Sequence, residues 1–192
     1  TDGKIIVPMI SSMDHKRALD GDNGLNTGGM GVIAPNPYYT PEIAKESMER
    51  IFKPTIEAMN SLDRTFKGCL YFGLMITKDG PKVIEYNCRF GDPEAQAVLP
   101  LLETDLLEIM IDVRNEKLTS DKVKFSEDST CCLILASKGY PQSYEKGFPI
   151  SFNCDIEDIF IAGAKIINDE LVTSGGRVLG ITKRADSLKE AI

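Results

Sequence analysis

The chain has 192 residues, 42% hydrophobic and 27% charged, the balance of an ordinary globular protein of one domain or two small ones. That excludes collagen-like, disordered and coiled-coil readings, and no run of about 18 apolar residues offers a membrane-spanning helix. Lys and Arg number 22 against 29 Asp and Glu, a net charge of −7 with no basic cluster, so a nucleic-acid partner is not expected.

Lys4–Ile10 reads as a strand and Asp20–Gly31 as a loop rich in Gly and Asp. Thr40-Pro41-Glu42 predicts a helix start: a hydroxyl cap, Pro at the first helical position, then a carboxylate. Its buried stripe takes in Ala44, Met48, Ile51, Phe52, Ile56 and Met59, with a kink at Pro54. The apolar runs Cys69–Thr77 and Lys82–Phe90 flank Asp79-Gly80, a dipeptide suited to a tight hairpin turn. Asp92-Pro93-Glu94 opens a second capped helix, and Thr104-Asp105 a third that runs to about Glu116. Lys117–Glu127 is polar and without period, a linker. Beyond it, Thr130–Ala136, Asp158–Ile161, Lys165–Ile167, Leu171–Thr173 and Arg177–Thr182 are short β runs. Gly175-Gly176 reads as a hairpin turn, and Ser187 with Glu190 as a capping box with one turn of chain left.

The five cysteines, Cys69, Cys88, Cys131, Cys132 and Cys154, form no C-x-x-C and several lie in apolar runs. They read as reduced, mostly buried thiols of a cytosolic protein. His15 is the only histidine, so a His-rich metal centre is excluded within this chain. Its chemistry must run on carboxylates, amides, Arg, Lys and backbone.

The strongest candidate is Val83–Phe90. In a strand, Glu85, Asn87 and Arg89 share one face at steps of about 6.6 Å, while Ile84, Tyr86, Cys88 and Phe90 form a core face. Carboxylate and amide oxygens suit a Mg²⁺ ion shared with phosphate, and Arg can fork onto a phosphoryl or carboxylate group. A solvated face with an Arg–Glu pair fits the same pattern; Asp92-Pro93-Glu94 favours the binding reading by adding acids and a helix N-terminus. The second candidate, Asp20–Gly31, holds five glycines in eleven residues that free the backbone and offer N–H groups to an anion. It is not a calcium loop, since Gly24 comes one place early and Gly31 stands where Glu is needed. Nor is it a P-loop, having no Gly-Lys-Ser/Thr. By composition alone it reads as a mobile surface loop, and Asp14-His15-Lys16-Arg17 beside it as a solvated charge cluster.

Together, Asp14-His15-Lys16-Arg17, Asp20-Gly21-Asp22, Asn26-Thr27-Gly28-Gly29-Met30-Gly31 and Glu85-Tyr86-Asn87-Cys88-Arg89-Phe90-Gly91-Asp92-Pro93-Glu94 resemble the glycinamide ribonucleotide synthetases (phosphoribosylamine–glycine ligases) of the ATP-grasp superfamily. The resemblance extends to Gly139-Tyr140-Pro141 and Ser174–Gly180, and departs from the family pattern at Met13, Leu25 and Ile161. It implies an α+β fold: the C-terminal half of an ATP-grasp catalytic core, an antiparallel sheet with helices, over 1–116, then a small mostly-β domain over 117–192.

The implied activity is ATP-dependent carbon–nitrogen ligation in purine biosynthesis: glycine joined to 5-phosphoribosylamine through glycyl phosphate, with ATP as co-substrate and Mg²⁺ or Mn²⁺. Glu85 and Asn87 would hold the metal, and Arg89 and Asp92 would be catalytic. Asp14, His15, Lys16, Asn26, Thr27, Gly28, Gly29, Met30 and Gly31 would line the substrate and phosphate pocket, with Gly91, Pro93 and Glu94 opposite. The implied partners are those small molecules and the rest of the same chain N-terminal to Thr1, with neither nucleic acid nor membrane, in the cytoplasm. These 192 residues alone are expected to be inactive for want of half the nucleotide clamp. Another ATP-grasp carboxylate–amine ligase, or a non-catalytic ATP-grasp-like binding module, is the alternative.

Overall fold

The computed structural model describes residues 1–153 and 156–192. Cys154 lies outside them. In chain order the elements are β1 (Met13–Asp14), β2 (Arg17–Leu19), β3 (Asn23–Asn26), β4 (Gly31–Ala34), α1 (Pro41–Ser47), α2 (Lys53–Ser61), β5 (Tyr71–Thr77), β6 (Gly80–Asn87), α3 (Glu94–Val98), α4 (Leu106–Arg114), β7 (Ser129–Ala136), β8 (Ile159–Ile161), β9 (Ala164–Ile167), β10 (Glu170–Thr173), β11 (Arg177–Ala185) and α5 (Leu188–Ala191). The strand pairings are antiparallel, and helices and sheets are mixed as the α+β class requires. No helix among the described residues is long and apolar enough to cross a membrane.

Packing divides the chain into two compact units. One comprises Thr1–Ser11, Asn36–Gly91 and Leu102–Ser126; the other Ser12–Pro35, Asp92–Leu101 and Glu127–Ile192. The units interleave along the sequence, where the residue pattern alone suggests a single division at 116/117.

In the first unit, Thr40 caps α1 by accepting the Ile43 N–H at 3.4 Å, with Pro41 in the first turn. The kink at Pro54 takes a particular form: a π-helical turn, Met48–Phe52, separates α1 from α2. A proline ring clashes with the carbonyl four residues back, and the wider turn gives it room. Ile51 and Ile56 are buried, and the Phe52 ring stands 4.5 Å from Phe72 on β5. Strands β5 and β6 close as a hairpin at Thr77 and Gly80, with Gly80 at φ +90°. Asp105 caps α4 by accepting the N–H groups of Leu107 and Glu108.

The strand expected at Lys4–Ile10 does not form. The buried Asp2 carboxylate instead accepts the N–H groups of Lys4 (2.9 Å) and Ile5 (2.7 Å), turning the backbone before a ladder can start, and Pro8 removes a ladder donor. Nearby, Glu116 sits 2.6 Å from both Lys4 Nζ and Lys67 Nζ. Hydrogen bonds from Lys4 and then Lys67 hold its carboxyl at about 2, against an ordinary value of 4.5. The fold therefore favours the ionised form, and the contribution is complete above the ordinary range and lost as pH falls towards 2. A carboxyl NMR titration should give Glu116 a midpoint near 2, and Glu116→Gln should flatten the acid limb of the stability–pH curve between these values.

The second unit is built on a five-stranded sheet of order β1-β4-β7-β11-β8. Val32, Ile33, Ala34, Cys132, Ile134, Val178 and Leu179 form its core with Ala97, Val98 and Leu101 from α3 and the turn after it. Two sheet hydroxyls complete the packing: Thr130 Oγ1 donates to the Ala97 carbonyl and Thr182 Oγ1 to that of Gln96. Buried carbonyls left unmet would each cost about 1–3 kcal/mol.

Several expectations need correction here. Part of the Asp20–Gly31 loop is a β2–β3 hairpin turning at Gly21 and Asp22, both at positive φ. Gly175-Gly176 is not a hairpin turn: β10 pairs with β9, so these residues carry the chain from one sheet to another. Ser187 starts α5, but its hydroxyl bonds the Glu190 carboxylate rather than a backbone N–H. Among the described thiols only Cys132 is buried; Cys69 and Cys131 are half-buried and Cys88 is exposed. Strand β6, which carries Cys88 just past its end, belongs to a two-stranded ribbon with β5.

Candidate active site

In the second unit the Asn26–Gly31 segment is stitched to the Asp14–Lys16 segment. The Thr27 N–H and hydroxyl both donate to the Lys16 carbonyl, at 2.7 and 2.8 Å. Met30 N–H donates to His15 O (2.8 Å), and His15 N–H to Gly31 O (2.9 Å). The Gly29 N–H donates to Thr27 Oγ1, and the Gly28 N–H to Tyr140 Oη, each at 3.0 Å. All four N–H groups from Thr27 to Met30 are thus engaged within the unit. The loop is a braced strap presenting side chains, not the mobile cradle of free N–H groups that its glycines suggest.

Exposed His15, Lys16 and Asn26 flank this strap. Lys16 Nζ pairs with Asp14 Oδ2 at 2.7 Å, while the Asp14 side chain is only 6% exposed. Asp14 Oδ1 is buried without a hydrogen-bond partner among the described residues. Gly29, at φ +114°, passes between Asp14 and the fully buried Pro93. No other residue fits there.

Asp92 accepts from Gln96 Nε2 on one carboxylate oxygen (2.8 Å) and from Arg177 Nη2 on the other (3.0 Å). It does not cap α3: Pro93 occupies the cap position, with no side-chain hydrogen bond. Helix α3 has five residues and so little dipole to offer an anion, and Glu94 in its first turn is buried. The structure therefore brings Asp14, His15, Lys16, Thr27, Gly28, Gly29, Met30, Gly31, Asp92 and Pro93 together. It also adds Arg177 and Tyr140, which sequence reasoning left without a role although both lie in quoted motifs. A separate cavity of about 810 Å³, lined by Leu135, Lys138, Tyr144 and Phe148, includes none of the predicted site residues.

In the first unit, Glu85 and Asn87 stand at alternate positions of β6, opposite Gly73 and Tyr71. A Cβ on Gly73 would lie 2.8 Å from Glu85 Cγ, so this glycine makes room for the carboxylate stem. Arg89 lies beyond the strand end, where Nη1 donates to the Phe90 carbonyl (2.8 Å) and Nη2 to Asn87 Oδ1 (3.3 Å). The opposite face is not a core: Ile84 is 63% and Tyr86 51% exposed. A bulge at Gly73/Leu74 breaks the alternation, and Tyr86 meets Phe72 edge-on with its hydroxyl 3.4 Å from Thr55 Oγ1. Gly91 is buried at the end of this unit.

No cluster of three or more His, Cys, Asp or Glu able to hold a metal occurs among the described residues. Glu85 and Asn87 instead supply two hard oxygens. That donor set fits Mg²⁺, which keeps several positions for water and substrate phosphate rather than filling a protein cage.

Two family models match, in this order: the ATP-grasp (A) domain of phosphoribosylglycinamide synthetase over residues 1–95 and its C domain over 130–192. Similar curated proteins include the phosphoribosylamine–glycine ligases of Caldanaerobacter subterraneus subsp. tengcongensis (47% identical, covering 99% of this chain and 46% of the relative) and Clostridium acetobutylicum (46% identical, 100% and 46%). The chain thus spans about half the length of these relatives. A crystal structure of phosphoribosylamine–glycine ligase from Thermotoga maritima matches with a TM-score of 0.88 at 32% identity, over 98% of this chain and 47% of that one. Biotin carboxylase from Campylobacter jejuni matches at 0.56 and 14% identity, over 85% and 36%, a likeness of fold alone. With both family models matched in order, the braced Asn26–Gly31 strap and the Glu85–Arg89 strand belong to a chain of the phosphoribosylglycinamide synthetase family, with its ATP-grasp fold.

Proposed function

We propose that the full-length protein ligates glycine to 5-phosphoribosylamine at the expense of ATP, in the cytoplasm, as a step of purine biosynthesis. The observation that carries this reading is the pairing of a hard-oxygen strand, Glu85 and Asn87 with Arg89 beyond it, with the two family models in one chain. A glycine carboxylate oxygen attacks the γ-phosphorus and the bond to ADP breaks, giving glycyl phosphate. The amine nitrogen then attacks the acyl carbon, phosphate leaves, and the nitrogen loses a proton. Such chemistry needs positioning and charge neutralisation more than acid–base groups, which suits a chain with one histidine.

In this reading Glu85 and Asn87 hold Mg²⁺ or Mn²⁺, which when bound neutralises phosphate charge. Arg89 forks onto the transferring phosphoryl group. Lys16, His15 and Asn26 face the substrate phosphate, with Gly28 to Gly31, Pro93 and Glu94 shaping the wall beside them, and Gly91 enters with the Glu85–Arg89 segment of the first unit. Asp14, whose Oδ2 pairs with Lys16 Nζ at 2.7 Å, holds that lysine towards the substrate. Asp92 enters as an anchor: both carboxylate oxygens already accept hydrogen bonds, from Gln96 and Arg177. The family models support an ATP-grasp part within 1–116 and a C-terminal part within 117–192.

The test is ADP and phosphate release by the full-length protein. We expect release only when ATP, glycine and phosphoribosylamine are all present with a divalent cation. Turnover with another carboxylate and amine in place of these would assign a different ATP-grasp ligation, and nucleotide binding without turnover a non-catalytic module.

A further inference from the structure

The Gly28 peptide is held at both ends by side chains from far along the chain. Its N–H donates to Tyr140 Oη at 3.0 Å, and its carbonyl accepts from Arg177 Nη1 at 2.8 Å. The same Nη1 reaches the Asp92 carbonyl (2.8 Å), and Nη2 reaches the Asp92 carboxylate (3.0 Å). A Cβ on Gly28 would come within 3.0 Å of Arg177 Cζ, so the guanidinium lies directly against this backbone. The Tyr140 ring is seated on Gly176, where any side chain would collide with it. The Arg177 side chain is 21% exposed, enclosed by its partners.

We infer that Arg177 and Tyr140 are positioning residues that lock the Gly28–Gly29 strap to Asp92, an inference that rests on the ligase reading above. Adjacent glycines are the least stiff backbone the chain can make, and one of these is held at φ +114°. A strap of that kind presents Lys16 and Asn26 at a fixed spacing only if something external fixes it. Three acceptors on two segments require a planar guanidinium with several donors; a lysine ammonium reaches them as a single point. Neither residue has to touch substrate for this.

The experiment compares full-length wild type, Arg177→Lys and Tyr140→Phe by ADP release, varying ATP, glycine and phosphoribosylamine separately. Arg177→Lys should lower kcat/KM for phosphoribosylamine about 100-fold, the scale of a misplaced binding group. Tyr140→Phe, which removes one acceptor and keeps the ring, should lower it about fivefold. In both, the KM for ATP should stay within about twofold of wild type, a split that general loosening of the fold would not produce. Variants matching wild type, or an equal rise in the KM for ATP, would overturn the clamp while leaving the ligase reading intact. If Arg177→Lys does not fold, Tyr140→Phe decides alone. A wild type with no glycine-dependent release would overturn the ligase reading and this inference with it.

Discussion

Glu85→Ala in the full-length protein should lower kcat about a thousandfold, the upper range for removing one preorganised charge-stabilising group. The Glu85 side chain is exposed, so its loss should move the unfolding midpoint little, within about 0.5 kcal/mol. Glu85→Gln keeps an oxygen ligand and gives up the charge. It should fall between wild type and the alanine variant and demand a higher divalent-cation concentration for half-maximal rate. Steady-state assays across a Mg²⁺ series make the comparison, with thermal unfolding as control. An alanine variant with unchanged turnover and unchanged Mg²⁺ dependence would remove Glu85 from metal binding.

Gly29→Ala should be strongly destabilising in the second unit. The added methyl would lie 2.5 Å from Pro93 Cδ and 2.7 Å from Asp14 Oδ1, on a backbone held at φ +114°. Backbone strain and overpacking of this kind each cost about 1–3 kcal/mol, so a loss of about 3 kcal/mol is expected by denaturant unfolding. Gly147 supplies the control. It sits at φ +89° with nothing within 4 Å of a Cβ, so Gly147→Ala carries the conformational cost alone, about 1 kcal/mol. Comparable losses at the two positions would mean that the Asp14–Pro93 gap is not tightly closed.

The residues announce their structure where the signal is local. Thr40-Pro41 and Asp105 cap the helices they promise, and Asp79-Gly80 turns its hairpin, because a cap or turn is decided within four residues. The failures share a cause too. Lys4–Ile10 has the composition of a strand, yet one buried carboxylate at Asp2 captures its first N–H groups. The Asn26–Gly31 loop promises free donors, yet His15, Lys16, Thr27 and Tyr140 consume them, and no count of glycines reveals that. Ile84 and Tyr86 alternate like core residues, yet both stay more than half exposed on a ribbon whose bulge no period encodes. Of the candidate site, the residue types were legible and the bracing was not, since Arg177 reaches Asp92 across 85 positions.

Strand β4 has one consequence for how the molecule is made. It enters the strap's sheet as the neighbour of β7, with Gly31 opposite Leu133, and β7 in turn lies against β11. As the polypeptide leaves the ribosome, the strap waits for partners that emerge about a hundred residues later. Such long-range closure is the slow kind, and until it happens β4 carries a bare apolar edge able to pair with other chains. Dissecting the protein after residue 116 would make that waiting state permanent.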